Sequence, residues 1–505
     1  MKQKKISFIF LFIFCTSNAL LGRVTEWPEF DKSFFTVRPP FQTASPEKES
    51  FFYDKVFLRK CGFNGTMQVV PFGGISTKGK DLGFFFSPLP VTPLIVSSET
   101  TNIAGLPQNF NRDINPVHFN IHYVISDIQF GTFNSLLSFN PQQKAAGFGF
   151  TYNQFLHPRD ACEKHWWFEI SCPFLWIKNN MRLEENRVLT TGTPLEGTKV
   201  NMVDAFKGGT EQTDIKAGKI DGAKNHAGVA DVELKIGYKI LNTKNKQFDV
   251  YTGGIMPTGN KPRGEFMFEP VVGNNKHWGI MLGGMIDLEF WSNANSSLSF
   301  RTHPHGRYLF NNTQTRLIDL KNRPWSRYML MYANQEAASQ GISAVINGTQ
   351  ILLQRLKVHP GFAFTLNNML RYDHCDLQIE VGYNFYARQA EKLQLKDPWQ
   401  EGPAVADLRN VFVANVINRL SNIGNNNAGA GTPYSNESRI REEDLGLFSA
   451  AHPCAISHTI FGACGYQWPD LCIPVFASVG GSYEFSALNT VLNRWLVWGK
   501  VGIAL

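Results

Sequence analysis

Charged residues in this chain recur at every second position over several stretches, and that spacing decides what chemistry they can share. Around VELKIGYKI, Asp231, Glu233, Lys235 and Lys239 alternate with Val232, Leu234, Ile236, Tyr238 and Ile240. In WGIMLGGMIDLEF, Asp287 and Glu289 hold one parity, while Trp278, Ile280, Leu282, Ile286, Leu288 and Phe290 hold the other. A helix would scatter these residues around its circumference, whereas a strand sorts them onto a charged face and a greasy face.

Along the clearest alternating stretches the polar parity presents seven acids (Asp231, Glu233, Asp249, Asp287, Glu289, Asp376, Glu380) and seven bases (Lys235, Lys239, Arg301, Lys357, Arg388, Arg494, Lys500). Such a balance argues against a strongly ion-selective passage and favours a general channel or a salt-bridged wall. Hairpin geometry predicts Glu289 opposite Arg301 and Asp287 opposite His303 across the NANSS turn, and Lys239 opposite Asp249 across the preceding one. The candidate lining set is Asp231, Glu233, Lys235, Lys239, Asp249, Asp287, Glu289, Arg301, His303, Lys357, Glu380 and Arg388.

Other chemistry is thinner. His118 and His122 are weak metal candidates on one strand face; further ligands are needed and none is evident nearby. GISTKGKD, Gly74 to Asp81, has the glycine and lysine spacing of a phosphate loop, but Asp81 replaces the magnesium-binding hydroxyl and no helix is expected to follow. Ser457-His458 lacks a GxSxG context. No catalytic residue, metal or cofactor is expected.

The elements that must position these residues are strands. Alternation marks about fourteen (12–16): near 63–75, 117–126, 128–139, 147–155, 166–177, 231–240, 247–256, 278–290, 298–310, 357–368, 376–388, 456–466, 474–485 and 490–505. Long polar insertions fall near 76–115, 178–228, 257–276, 311–356 and 389–455, the last holding the NIGNNNAGAGT run. Short and long connections tend to alternate, and Trp166, Trp167 and Trp176 suit interfacial girdles.

The chain opens with basic MKQKK, an apolar run from Ile6 to Cys15 broken only by Ser7, and Ser17-Asn18-Ala19, which reads as a cleaved export signal over 1–19. Losing Lys2, Lys4 and Lys5 with it lowers the formal charge from +7 to +4, too mild to argue for nucleic acid. Of eight cysteines Cys15 leaves with the leader; Cys162 with Cys172, and the group Cys454, Cys464 and Cys472, offer one or two loop disulfides. Residues 20–55, with prolines and a PEKE patch, read as a periplasmic segment or a plug, ahead of a barrel over 56–505. The composition, 13% aromatic with 43 glycines and 18% charged, leans the same way.

With those strands in view, the chain resembles a bacterial outer-membrane β-barrel of the porin-like kind. The resemblance implies an all-β transmembrane antiparallel barrel with short periplasmic turns and long extracellular loops. It also implies contact with outer-membrane lipid and the barrel-assembly machinery, although the final strand ends in Leu505 rather than an aromatic residue. The expected function is passage of small solutes by passive diffusion through a polar lumen narrowed by inward loops. The alternatives are a surface protein that binds partners through its loops, or a secreted soluble β-sandwich.

Overall fold

The computed structural model describes residues 28–51, 65–99, 112–126, 129–156, 166–243, 245–406 and 439–505. The leader over 1–19, the NIGNNNAGAGT run, Cys61 and Cys162 lie outside the described residues.

Twelve strands form the wall, with β1 Gly65–Thr77, β2 Gln142–Phe155, β3 Trp166–Asn180, β4 in two segments (Ala223–Val229 and Val232–Asn242), β5 Lys246–Met256 and β6 Gly279–Ser292 in the first half. The second half is β7 Ser296–Leu309, β8 Gly361–His374, β9 Leu377–Arg388, β10 Ala455–Trp468, β11 Val475–Phe485 and β12 Asn493–Ala504. Each pairs antiparallel with its sequence neighbour. The two segments of β4 both pair with β3, one above and one below the break at Ala230 and Asp231, so they act as one strand. β12 returns to β1, from Thr66 opposite Ala504 to Thr77 opposite Asn493, and closes the sheet. Closure removes the sheet edges and excludes the two-layer sandwich.

The outward parity is apolar on every side. Leu282 on β6 is 68% exposed, Val381 on β9 59%, Val479 on β11 67% and Val497 on β12 61%, while the intervening positions face the interior. A closed sheet with a continuous greasy exterior and a charged interior is a transmembrane barrel. Among the described residues no helix is long and apolar enough to cross a membrane.

Two of the fourteen expected strands are absent from the wall. Residues 116–119 form a 3-10 turn and Asn120 turns left-handed at φ 56°, so the alternation of PVHFNIHYVIS does not continue along one extended strand. The short strands beyond it, Tyr123–Ser126 and Phe133–Phe139, belong to small sheets in the first long connection. The expected strand over 357–368 also splits. Leu353–His359 pairs with Asn312–Leu317 in a loop sheet, Pro360 supplies no donor, and Gly361 at φ +75° redirects the chain into β8.

The long connections all emerge at one end and fold together into a cap. Its core joins Phe85, Phe86, Phe119, Phe206, Trp325 and Tyr328, and the Trp325 indole donates to the Phe86 carbonyl at 2.9 Å. Residues 28–37 thread this cap. Lys32 donates its backbone N–H to Phe85, Ser33 to Ser449, and Phe35 sits edge-on to Phe85 at 4.9 Å. A helix, unexpected from the sequence, does follow the glycine and lysine stretch: β1 ends at Thr77, and the eight-residue helix Gly79–Phe86 comes next. Its apolar face, Leu82, Phe85 and Phe86, is buried in the cap core.

Candidate functional site

From the cap, residues 38–51 descend into the barrel and are almost wholly buried. The PEKE patch becomes a single helical turn, Pro46–Glu49, with Pro46 at its start where its missing N–H costs nothing. Charges in such a place must be paired. Lys48 Nζ lies 3.0 Å from Glu169 and 3.5 Å from Glu233, and donates to Ser171 at 2.7 Å. Glu49 Oε2 lies 3.0 Å from His303 Nδ1. Thr43 donates its backbone N–H and its hydroxyl to Glu233 at 3.0 and 2.6 Å. Phe51 donates its backbone N–H to Glu380 at 2.7 Å, and Lys500 donates to the Lys48 carbonyl at 2.8 Å.

The wall is paired beneath these ties. Glu169 also meets Lys235 at 2.8 Å and Glu233 also meets Arg307 at 2.9 Å. Asp287 is gripped by Arg301 at 2.7 Å and Arg371 at 3.0 Å. Lys239 stands opposite Asp249 as the hairpin geometry predicted. Asp287, however, stands opposite Arg301, and Glu289 opposite Ser299. A register shift between Glu289 and Trp291, next to a tight Asn293–Ser296 turn, moves the pairing from the expected partners.

Tyr251 links His303 and His305 beside these pairs. The Tyr251 hydroxyl lies 2.6 Å from His303 Nε2 and 2.8 Å from His305 Nδ1, and Arg307 Nη2 lies 3.4 Å from His305 Nε2. One hydroxyl hydrogen serves only one of its two neighbours. Arg307 can only donate, so His305 Nε2 accepts from it, and the Tyr251 hydroxyl lies between the two imidazoles.

The inner face also carries flat rings laid over glycines. Gly283 lies directly across from Tyr251, Gly237 from Trp167, Gly382 from Phe461, Gly480 from Trp498 and Gly502 from Phe476. A Cβ at Gly283 would stand 2.2 Å from the Tyr251 hydroxyl, and one at Gly237 2.3 Å from the Trp167 ring. Trp167 is thus an interior residue rather than part of an interfacial girdle, whereas Trp166 is 47% exposed.

Of the sequence candidates, Asp231, Glu233, Lys235, Lys239, Asp249, Asp287, Arg301, His303 and Glu380 are buried toward the interior. Asp231 accepts from the Asn274 backbone and side chain. Arg388 closes β9 beside Glu391 at 3.3 Å, and Glu289 is half-buried near the short-turn end. Lys357 is displaced from the wall, on loop strand Leu353–His359 opposite Thr313. Sequence reasoning missed Glu169, Tyr251, His305, Arg307, Arg371 and Glu484; in most cases parity with a recognised neighbour was the available signal.

The remaining candidates are structural. His118 is buried in the cap, its Nδ1 accepting from Leu330 at 3.4 Å, and the left-handed turn at Asn120 separates it from His122. Burial, then nearby Arg112, lowers its pKa to about 3. Among the described residues no group of His, Cys, Asp and Glu is placed to hold a metal. Ser457 donates to Glu484 at 2.7 Å inside the barrel while His458, on the opposite face, meets Tyr383. Cys454, Cys464 and Cys472 are not joined by disulfides.

No protein-family model matches this chain, and no curated protein does. Among solved structures it is similar to an outer-membrane channel from Pseudomonas putida F1, with 8% identity over 88% of this chain and 97% of that one and a TM-score of 0.38. A FadL homologue from Pseudomonas aeruginosa gives 8% identity, coverage of 88% and 91%, and a TM-score of 0.30. The transport unit of the autotransporter AIDA-I from Escherichia coli gives 8%, coverage of 91% and 95%, and 0.29. At these scores a likeness carries no argument; the assignment as a membrane barrel rests on the closed wall, its apolar exterior and its charged interior.

Proposed function

We propose that this protein is an outer-membrane channel or transporter for small solutes whose lumen is held shut by its own N-terminal segment. Passage then requires displacement of residues 38–51 rather than free diffusion through an open bore. One observation carries the reading: the Pro46–Glu49 turn is tied to wall residues on several strands through Lys48–Glu169, Lys48–Glu233 and Glu49–His303. These polar ties are joined by aromatic ones: buried Phe41 stacks on Phe72 and buried Phe51 on Phe476, each at 6.1 Å. The wall acids keep second cationic partners in Lys235 and Arg307, so the wall stays paired when the turn leaves.

Cavities on both sides of the turn fit this arrangement. One, toward the short-turn end, is lined by Glu49, Asp249, Tyr251 and His303; the other, toward the cap, by Arg38, Arg307, Tyr386 and Arg388. Membrane fractionation and liposome swelling test the proposal. The protein should fractionate with the outer membrane, migrate faster on a gel before heating, and, with Lys48→Met, admit small sugars into liposomes faster than wild type. A soluble product, or equal slow swelling for both proteins, would count against it.

A further inference from the structure

The N-terminal segment runs through most of the barrel's depth in one direction, and two wall strands mark its course. On β9, Arg38 donates to Asn384 at 3.0 Å and lies over the Tyr386 ring at 4.5 Å, Asn384 donates to the Ala44 carbonyl at 2.7 Å, and Glu380 accepts the Phe51 N–H at 2.7 Å. On β11, Arg38 lies 3.6 Å from Glu484 and Phe51 stacks on Phe476. Both strands rise from the short-turn end to the cap, so the segment descends as its residue numbers increase. Phe476 and Glu484 are eight residues apart on one strand, roughly 27 Å at about 3.4 Å per residue.

Both ends of the segment are fixed. At the bottom Phe51 packs on Phe476 near the start of β11, and β1 begins at the same end of the barrel, where Gly65 and Leu505 exchange backbone hydrogen bonds at 2.9 and 2.8 Å. The top is pinned among the long connections. Asp31 donates its backbone N–H to the Ser87 carbonyl at 2.7 Å, and its carboxylate accepts the Trp325 N–H at 3.1 Å. Glu29 donates its N–H to Asn489 Oδ1 at 2.9 Å and its carbonyl accepts from Asn489 Nδ2 at 2.6 Å; Asn489 lies between β11 and β12, at the cap end. Phe30 is 39% exposed while Asp31 is buried, so the chain reaches solvent at Phe30, on the cap side. A chain held in the wall at one end and in the cap at the other crosses the lumen, and it can be drawn out only toward the short-turn end, after the cap contacts break.

We infer that the N-terminal segment is threaded outward through the lumen, so that residues 28–30 lie on the cell surface and the contacts that hold the plug in the cap are reached from outside. The inference rests on the outer-membrane reading, in which short turns face the periplasm and long connections face the exterior. It goes beyond that reading by giving the plug a direction. A plug entering from the periplasm would have its low-numbered residues at the short-turn end; here Glu29, Asp31 and Arg38 are all at the other. The periplasmic start expected of residues 20–55 is therefore replaced, for residues 28–37, by an external one.

Epitope accessibility on whole cells tests the inference. A FLAG epitope is inserted in the full-length protein at one of three places: between Glu29 and Phe30, after Gly197 in the cap, where the backbone faces open space, or between Ala294 and Asn295 in the exposed β6–β7 turn. Antibody should stain intact cells carrying the first or second epitope, and should stain cells carrying the third at least ten-fold more after permeabilisation. An insertion can itself disturb threading, so Phe30→Cys, in a chain whose native cysteines are all replaced by serine, supplies a smaller probe. A membrane-impermeant maleimide should label it as fully on intact cells as on permeabilised ones. Heat-dependent gel mobility verifies that each protein is folded. Labelling of Phe30→Cys only after permeabilisation, with the Gly197 epitope outside, would overturn the threading and leave the barrel reading intact. Gly197 and turn epitopes found on exchanged sides would refute the barrel's orientation, and the surface position with it.

Discussion

Glu49 of the N-terminal turn and His303 of β7 meet at 3.0 Å across a lumen where both are nearly inaccessible to solvent. Sequence distance makes this contact informative, since the two residues belong to separate elements that the barrel alone would not bring together. Removing one partner of a buried pair costs about 3–5 kcal/mol where the other is left charged. Here His303 keeps Tyr251 as a neutral partner, so we expect Glu49→Gln to fall at or below the low end of that range. Denaturant unfolding of the detergent-solubilised protein measures it. A loss above about 5 kcal/mol would mean the turn is structural rather than displaceable.

Gly283 and Tyr251 make a second test. A methyl group at Gly283 would occupy the position of the Tyr251 hydroxyl, which bonds both His303 and His305. Overpacking of this kind costs about 1–3 kcal/mol. We expect Gly283→Ala to destabilise by that amount and Gly283→Ala with Tyr251→Phe to recover little, because the ring carbon that bears the hydroxyl would still stand 2.4 Å from the new Cβ. No loss in the single variant would show that the ring can move aside freely.

The wall's orientation is checked by Leu282, which points outward at 68% exposure. Leu282→Arg should cost about 2–4 kcal/mol if the position lies at mid-membrane, less toward an interface. Gly283, the adjacent inward position, is a poor comparator because any side chain there meets Tyr251. Refolding into lipid vesicles against denaturant measures the loss, and no loss would contradict the outward placement of Leu282.

Acid should loosen the cap. His452 is buried against Phe35 and Phe85, and burial, then the charge of Arg388, lowers its pKa to about 3. An unfolded histidine titrates near about 6.5. The folded pKa is therefore depressed, so this stabilisation is full above about 6.5 and declines as pH falls toward about 3. His118 behaves alike. Limited proteolysis of the cap should accelerate between pH 7 and pH 4, and His452→Phe should flatten that dependence. An unchanged slope in the variant would assign the acid response elsewhere.

Much of the barrel was legible because a two-residue period survives wherever one face meets lipid and the other a polar lumen. The VELKIGYKI and WGIMLGGMIDLEF stretches became β4 and β6 with the expected faces. The same period misled at PVHFNIHYVIS, where a packed cap imposes alternation without a wall strand and only the backbone at Asn120 reveals the difference. Lys357 failed for a related reason, since Pro360 and Gly361 separate two strands that read as one. Hairpin pairs could be read from local spacing at Lys239 and Asp249 but not at Asp287, because a bulge is not written in the apolar pattern. The contacts of Lys48 and Glu49 were beyond reach: they join residues more than a hundred positions apart, and a PEKE patch looks the same in solvent as in a lumen.

Planar-bilayer conductance of the full-length protein beside Lys48→Met with Glu49→Gln, and beside a chain lacking residues 38–51, tests the central claim most directly. A lumen held shut by its N-terminal turn predicts small or infrequent openings in the wild type and larger or more frequent ones in both altered proteins, each verified as folded by its heat-dependent gel mobility. Equal conductance in all three folded proteins would contradict it.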